Sequence, residues 1–268
     1  MMTALGRELF TAHANSGEPA FTWLGQHSFI LTLGKQVILV DPFLADMPER
    51  LVPPLFSPAA AAGIVSLVCC THDHIDHIDP VAVSGLAHAT DCTFVAPRAC
   101  RERMLALDVP EERLLLLDDE ETVEEHGLSI TGVKAAHEFF ETDAAGQHAF
   151  LGFVLEADGV AFYHAGDTVW WEGLQARLRN WQLAAAFLPI NGRDAERYRA
   201  GILGNMTYQE AADLAGGLDV RLVIPAHFGM FSANTVDPQS FADFVTVKYP
   251  ALRFQVPVPG RWTAVETP

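Results

Sequence analysis

The chain has 268 residues, half of them hydrophobic and 19% charged, which excludes a disordered or low-complexity protein and is enough to bury a substantial core. Its formal net charge of -17, with no run of Lys or Arg, excludes nucleic acid and an anionic membrane surface as expected partners. No stretch reaches the roughly 18 apolar residues of a membrane span, and Met1 to Arg7 lacks the basic and apolar regions of a signal peptide, so a cytoplasmic location is expected. Cys69, Cys70, Cys92 and Cys100 form no CxxC pair and are expected to be reduced core thiols.

Short β-branched and aromatic runs at 21–25, 28–33 and 36–40, separated by Gly25-Gln26 and Gly34-Lys35, predict an antiparallel meander that Asp41-Pro42 ends. Four prolines between 46 and 60 predict an irregular rim loop. A strand is expected over Ile64–Cys70, then a helix started by Asp79-Pro80 through about Leu86, a strand at 93–96 and a helix at 98–107. The second half predicts strands near 114–117, 129–135, 151–157, 160–164, 184–189 and 221–225. Helices are expected at 172–178, from the Thr207 cap to Ala215, and from Asp237-Pro238 to about Val247. With no linker between the halves, these elements predict an α+β fold, a four-layer αββα sandwich forming a single domain over 1–268.

Residues 71–77, Thr-His-Asp-His-Ile-Asp-His, pack three imidazoles and two carboxylates directly behind an apolar strand. Neutral imidazole nitrogens and carboxylate oxygens are the usual ligands of zinc and its first-row relatives, so the cluster points to a metal. Three later apolar runs also end in residues of ligand type: 133–136 before His137, 160–166 before Asp167 and 223–226 before His227. Ligands mounted at the ends of adjacent strands are held apart by a rigid sheet while their loops stay open to substrate. His72, His74, Asp76, His77, His137, Asp167 and His227 together exceed what one tetrahedral ion needs and suit two metals sharing a carboxylate.

Through the 72–77 motif, His137, the Gly166-Asp167-Thr168 turn and His227, the chain resembles the metallo-β-lactamase superfamily over residues 20 to 230. The resemblance implies the αββα fold. It also implies His72, His74 and His137 on a first metal, Asp76, His77 and His227 on a second, and Asp167 bridging them. His72 and His74 are expected on one face of an extended segment, with Asp76 and His77 after a turn. The expected chemistry is attack on a carbonyl by a hydroxide made available between the metals, with Asp76 or a held water protonating the departing alkoxide. Segments 23–29, 188–194, 205–207 and 225–231 are most similar to the L-ascorbate-6-phosphate lactonase group. That likeness implies manganese, homo-oligomeric assembly and a small anionic lactone as substrate. A ligand set of nitrogen and oxygen alone also admits zinc or iron.

Asn191 and Arg193, after a strand end, are read as substrate contacts, Asn191 to a sugar hydroxyl and Arg193 to a phosphate or carboxylate. The competing reading pairs Arg193 with Asp194 or Glu196. Asp41 is placed behind a ligand histidine, Asp73 in a support role and His164 in strand-end packing. His148 is placed toward the pocket, Trp170-Trp171 either at a pocket wall or, as is commoner for an aromatic pair, in core packing, and His13, His88 and His126 in solvent. His27, in a hairpin turn, is assigned no chemistry. The alternatives to a lactonase are a phosphodiesterase acting on small phosphodiesters, since the same pair of metals serves displacement at phosphorus, and a metal-binding scaffold without turnover.

Overall fold

The computed structural model describes residues 3–13 and 16–267, so Met1 and Met2, part of the leader reading, lie outside the described residues. After helix α1 (Thr3–Thr11) come the three meander strands β1 (Ala20–Gly25), β2 (Ser28–Leu33) and β3 (Gln36–Val40). Strand β4 (Leu67–Cys69), helix α2 (Pro80–Ala89), β5 (Thr93–Pro97), α3 (Arg101–Ala106) and β6 (Leu114–Leu117) complete the first half. The second half runs β7 (Thr122–Glu125), β8 (Leu128–Lys134), β9 (Leu151–Ala157), β10 (Val160–His164), α4 (Leu174–Leu178) and β11 (Leu183–Pro189). It continues with α5 (Ala195–Arg199), α6 (Tyr208–Gly216), β12 (Leu222–Ala226), α7 (Pro238–Lys248) and β13 (Trp262–Ala264).

These strands form two sheets, ordered β13-β1-β2-β3-β4-β5-β6 and β12-β11-β10-β9-β8-β7. Every residue of β2 is buried because the sheet is covered on both faces and side chains alternate across it. Phe29 and Leu31 face the second sheet, meeting Phe187 and Phe153 in the central core, while Ile30 packs outward with Phe10 of α1, Leu86 of α2 and Met104 of α3. On the far side Leu174, Leu214 and Phe241 of α4, α6 and α7 cover the second sheet. The architecture is therefore the αββα sandwich expected. Among the described residues no helix is long and apolar enough to cross a membrane.

The helix starts follow the expected chemistry. Asp79 accepts from Val81 N and Ala82 N with Pro80 behind it, Asp237 accepts from Gln239 N, and Thr207 with Glu210 closes a capping box on α6. Differences lie in short elements. Strand β4 covers only three of the seven residues expected, because Ile64 and Val65 are still turning out of the preceding 3-10 helix. The edge strands β7 and β13 and the five-residue helix α5 carry too little apolar periodicity to be read from sequence, and α1 overlaps the segment read only for a signal peptide.

Topology decides where the polar strand ends meet. In the second sheet β8, β10 and β12 run in one direction, since β9 is antiparallel to both β8 and β10, and β10, β11 and β12 are mutually parallel. In the first sheet β3 and β4 are parallel and β2 returns against β3, so the β1–β2 turn, the end of β3 and the end of β4 share one edge. The expectation of adjacent strands is corrected here: β9 and β11 separate the ligand-bearing strands, and alternate strands are what bring like ends together.

Candidate metal centre

All seven side chains read as ligands converge at that shared edge. Three sets lie with one donor atom each within 4.8 Å of the others: His72, His77 and Asp167; His74, His137 and Asp167; Asp76, His77 and His227. Asp167 is central. Its Oδ1 is 3.4 Å from His77 Nε2, and its Oδ2 is 3.2 Å from His227 Nε2 and 3.7 Å from His137 Nε2. Gly166, at φ +59°, permits this approach, since a Cβ there would meet Leu151 O at 2.7 Å and the Thr71 Cβ at 3.0 Å.

The histidine loop is not extended as expected. His74 N bonds back to His72 O, and His77 N and Ile78 N both bond to His74 O, so the segment coils in successive tight turns. The coil presents His72 Nε2 and His74 Nδ1 3.0 Å apart. Two imidazole nitrogens that close either share a proton or face one cation. Asp73, by contrast, points to solvent and pairs with Arg103 at 3.0 Å.

Hydrogen bonds behind the candidate ligands fix their tautomers. Asp41, fully buried at the end of β3, lies 2.7 Å from His77 Nδ1 and also accepts from Thr71 N and Thr71 Oγ1. Proton Nδ1–H on His77 leaves the Nε2 lone pair facing Asp167 and Asp76, the arrangement that orients metal-binding histidines. His137 does the same with Gly204 O at 3.0 Å. The Gly204 loop is tied in turn by Arg193, which donates to Asn205 O and forks onto both Glu210 oxygens at 2.7 Å, and by Glu138, which accepts from Gly204 N and from Tyr198. Four non-glycine residues at left-handed φ, Gln26, Asp41, Glu138 and His227, sit in these loops, a conformation tolerated where surroundings enforce it.

Electrostatics point to a missing positive charge. Burial holds the His72 imidazole well below its ordinary pKa and lowers that of His74, so both are neutral at pH 7, the form that can ligate a metal. Burial pushes the Asp167 carboxyl up, but His227 and His77 outweigh it and hold it well below the usual carboxylate range; the same neighbours lower Asp76. For His77 burial opposes protonation, yet Asp167, Asp76 and Asp41 around it raise its pKa well above normal. Three carboxylates thus draw a proton onto a buried ring, and a dication answers the same need. His77 Nε2 and Asp167 Oδ1 are buried without a hydrogen-bond partner, which in a folded interior demands an occupant. Donor set and unpaired atoms both fit a divalent metal.

Two residues at this site carry no assigned chemistry in the sequence. Gln26 Nε2 donates to Asp76 Oδ2 at 2.8 Å and lies 3.3 Å from His227 Nε2, while His227 N donates to Gln26 O at 2.8 Å. His27 is fully buried, its Nδ1 3.7 Å from Asp167 Oδ1 and both ring nitrogens without hydrogen bonds; burial lowers its pKa to about 4. A polar pair ending an apolar strand was the available signal, the same one that marks His137 and His227. His164 packs against the His27 ring at 4.1 Å. His148 turns to Asp118 at 2.7 Å, away from the pocket role expected for it.

The substrate contacts read from sequence are not available as expected. Both terminal nitrogens of Arg193 are engaged by Glu210 and Asn205 O, a partner the sequence did not suggest because α6 brings it from 17 residues away. Asn191 is 2% exposed, and its amide joins Asn205 and Asn234. Both residues brace loops around the centre.

The profile of the family described as "Beta-lactamase superfamily domain" matches residues 36–228, and that span holds all seven of the convergent residues. The chain belongs to the metallo-β-lactamase superfamily. A UPF0173 metal-dependent hydrolase of Methanoregula boonei is 30% identical over 223 residues, 82% of this chain and 86% of that protein. One from Rubrobacter xylanophilus is 30% identical over 232 residues, 84% and 88% of the two chains. The fold of a possible metal-dependent hydrolase from Veillonella parvula superposes with a TM-score of 0.75 at 17% identity, covering 92% of this chain and 100% of that one. Within the superfamily, this chain falls with the metal-dependent hydrolases.

Proposed function

We propose that the centre holds two divalent ions, manganese or zinc, and that the protein hydrolyses a small lactone. The carrying observation is the convergence of five imidazoles and two carboxylates with a buried, unpaired nitrogen on His77 and oxygen on Asp167. Seven nitrogen and oxygen donors exceed one coordination shell, and no cysteine belongs to any of the three sets, which suits manganese as well as zinc. Bound there, such ions supply Lewis acidity and hydroxide at neutral pH.

The chain's own groups do the rest. His72, His74 and His137 make one group of ligands and Asp76, His77 and His227 the other, with Asp167 between them. Asp76, an ionised carboxylate, keeps 17% of its side chain exposed, the highest value among the carboxylates of the centre; it would accept the proton that water gives up on becoming hydroxide and return it to the departing alkoxide of the opened ring. Gln26 fixes which Asp76 oxygen faces inward. Hydrolysis adds the hydroxide oxygen to the carbonyl carbon, breaks the ring C–O bond, and the released oxygen takes the proton, giving a hydroxy acid.

The lactone reading rests on the segments similar to the L-ascorbate-6-phosphate lactonase group. The anionic part of that reading has lost its proposed anchor, since Arg193 is engaged. The deciding experiment incubates the purified protein, reconstituted with manganese or zinc, with parallel panels of lactones, L-ascorbate 6-phosphate among them, and of phosphodiesters. Metal-dependent ring opening is expected. Turnover of phosphodiesters alone replaces the lactonase with a phosphodiesterase, and metal binding without turnover of either panel leaves a scaffold.

A further inference from the structure

Apolar residues on the loops that carry the candidate ligands are uncovered. Of the seven candidate ligands only His74 and Asp76 are not fully buried, so the opening lies where their loop meets solvent. Ile75 stands between them and is 54% exposed. Phe139 and Phe140, two and three residues past His137, are 68% and 47% exposed, and Trp170, three past Asp167, is 36% exposed. Phe150 extends this character inward, its ring 4.7 Å from His72, 5.5 Å from His74 and 5.4 Å from His137. Three loops that each carry a candidate ligand therefore each leave a large apolar side chain exposed beside it, a surface that an apolar ligand can cover.

Cations on the same loops are already engaged. Arg103 pairs with Asp73 and Arg197 with Asp194, Arg193 is held by Glu210, and Lys134 pairs with Asp119 at 3.6 Å while its Nζ lies over the Phe140 and Trp171 rings. Arg50 donates to three backbone carbonyls and lies over the Phe43 ring. Exposed Arg199, beside Tyr198, is the cation near the site with no ion-pair partner among the described residues. A phosphorylated substrate would bring its charge to a strongly acidic protein with little to receive it.

We infer that the site selects a neutral lactone carrying an apolar side chain, which lies on Ile75, Phe139, Phe140 and Trp170 while the ring carbonyl enters the centre. This rests on the hydrolase reading above and names its substrate class. Exposed aromatic and aliphatic surface next to the donors gives binding that grows with each methylene covered, and an unpaired phosphate gains nothing there.

The test compares kcat/KM of the metal-reconstituted full chain on γ-lactones bearing alkyl groups from methyl to heptyl and on a phosphorylated lactone. Full burial of a methylene is worth about fourfold, and an open rim about half that, so heptyl should exceed methyl by about fiftyfold. In F139A/F140A, checked for native fold by circular dichroism, the heptyl-to-methyl ratio should fall about fivefold or more. A flat series overturns the inference, as does a preference for the phosphorylated lactone that R199A removes. If no lactone is opened, calorimetric titration with 4-hydroxyalkanoates of the same lengths decides: affinity rising with chain length supports the apolar rim while the lactonase reading fails, and flat affinity removes the rim as well.

Discussion

The two sheets build their shares of the centre in opposite ways. The first sheet delivers four of the seven donors from one six-residue coil after β4, backed by Asp41 from β3 and the Gln26-His27 turn. The second delivers single residues, His137, Asp167 and His227, from three strand ends separated by two other strands. A contiguous block is held by bonds within itself, such as His77 N to His74 O, whereas the dispersed donors depend on loops braced elsewhere, such as Gly204 under His137. Local density and long-range support are thus alternative routes to fixed geometry, and removing each should cost differently.

Breaking the contiguous block itself should have the largest effect. In H74A metal content and turnover should fall together, kcat by at least about a hundredfold, measured by elemental analysis and steady-state kinetics; full metal content with unchanged kcat would remove His74 from the centre. Next comes its support. D41N keeps a residue type that tolerates the φ of 46° but removes the charge behind His77, so metal affinity should drop about 10- to 100-fold with the fold intact by circular dichroism.

A third variant probes the layer beneath. Burial lowers the His164 pKa to about 3, so below the unfolded value near 6.5 the unfolded chain binds a proton that the folded one refuses, and stability falls as pH drops. H164Q should remove roughly 1.4 kcal/mol per pH unit of that slope between pH 6.5 and 4, read from urea denaturation of metal-free protein; an unaltered slope would mean His164 is protonated in the fold. Smallest is the brace of the dispersed donors. R193A breaks a pair that is 30% and 28% exposed, worth at most about 1 kcal/mol of stability, and should lower kcat only a few-fold, equally for phosphorylated and neutral lactones. A rise in KM confined to phosphorylated substrates would restore Arg193 as an anion anchor.

The meander, the alternation that follows it and three helix caps were legible because period-2 apolar runs and Asp-Pro or Thr-x-x-Glu starts are local signals. The coil of 71–77 was legible as a metal motif for a similar reason: its donors lie side by side in the chain. Its conformation was not, since an extended and a coiled path place the same residues in sequence. His27 ends an apolar strand as His137 and His227 do, but its complete burial depends on tertiary packing and is not written in the turn. Arg193 was misplaced because Glu210, the partner that occupies it, reaches it only once α6 has docked.

By itself, then, the sequence determined which residue types could chelate a cation and that they would stand at strand ends, since both follow from side-chain chemistry and short-range periodicity. Tertiary structure alone decided that alternate strands of one sheet and neighbouring strands of the other would point those ends at a single place. It also decided which polar groups would be left over. Strand order and burial depend on contacts between distant segments, and those contacts leave His77 and Asp167 facing each other without hydrogen bonds while they exhaust Arg193.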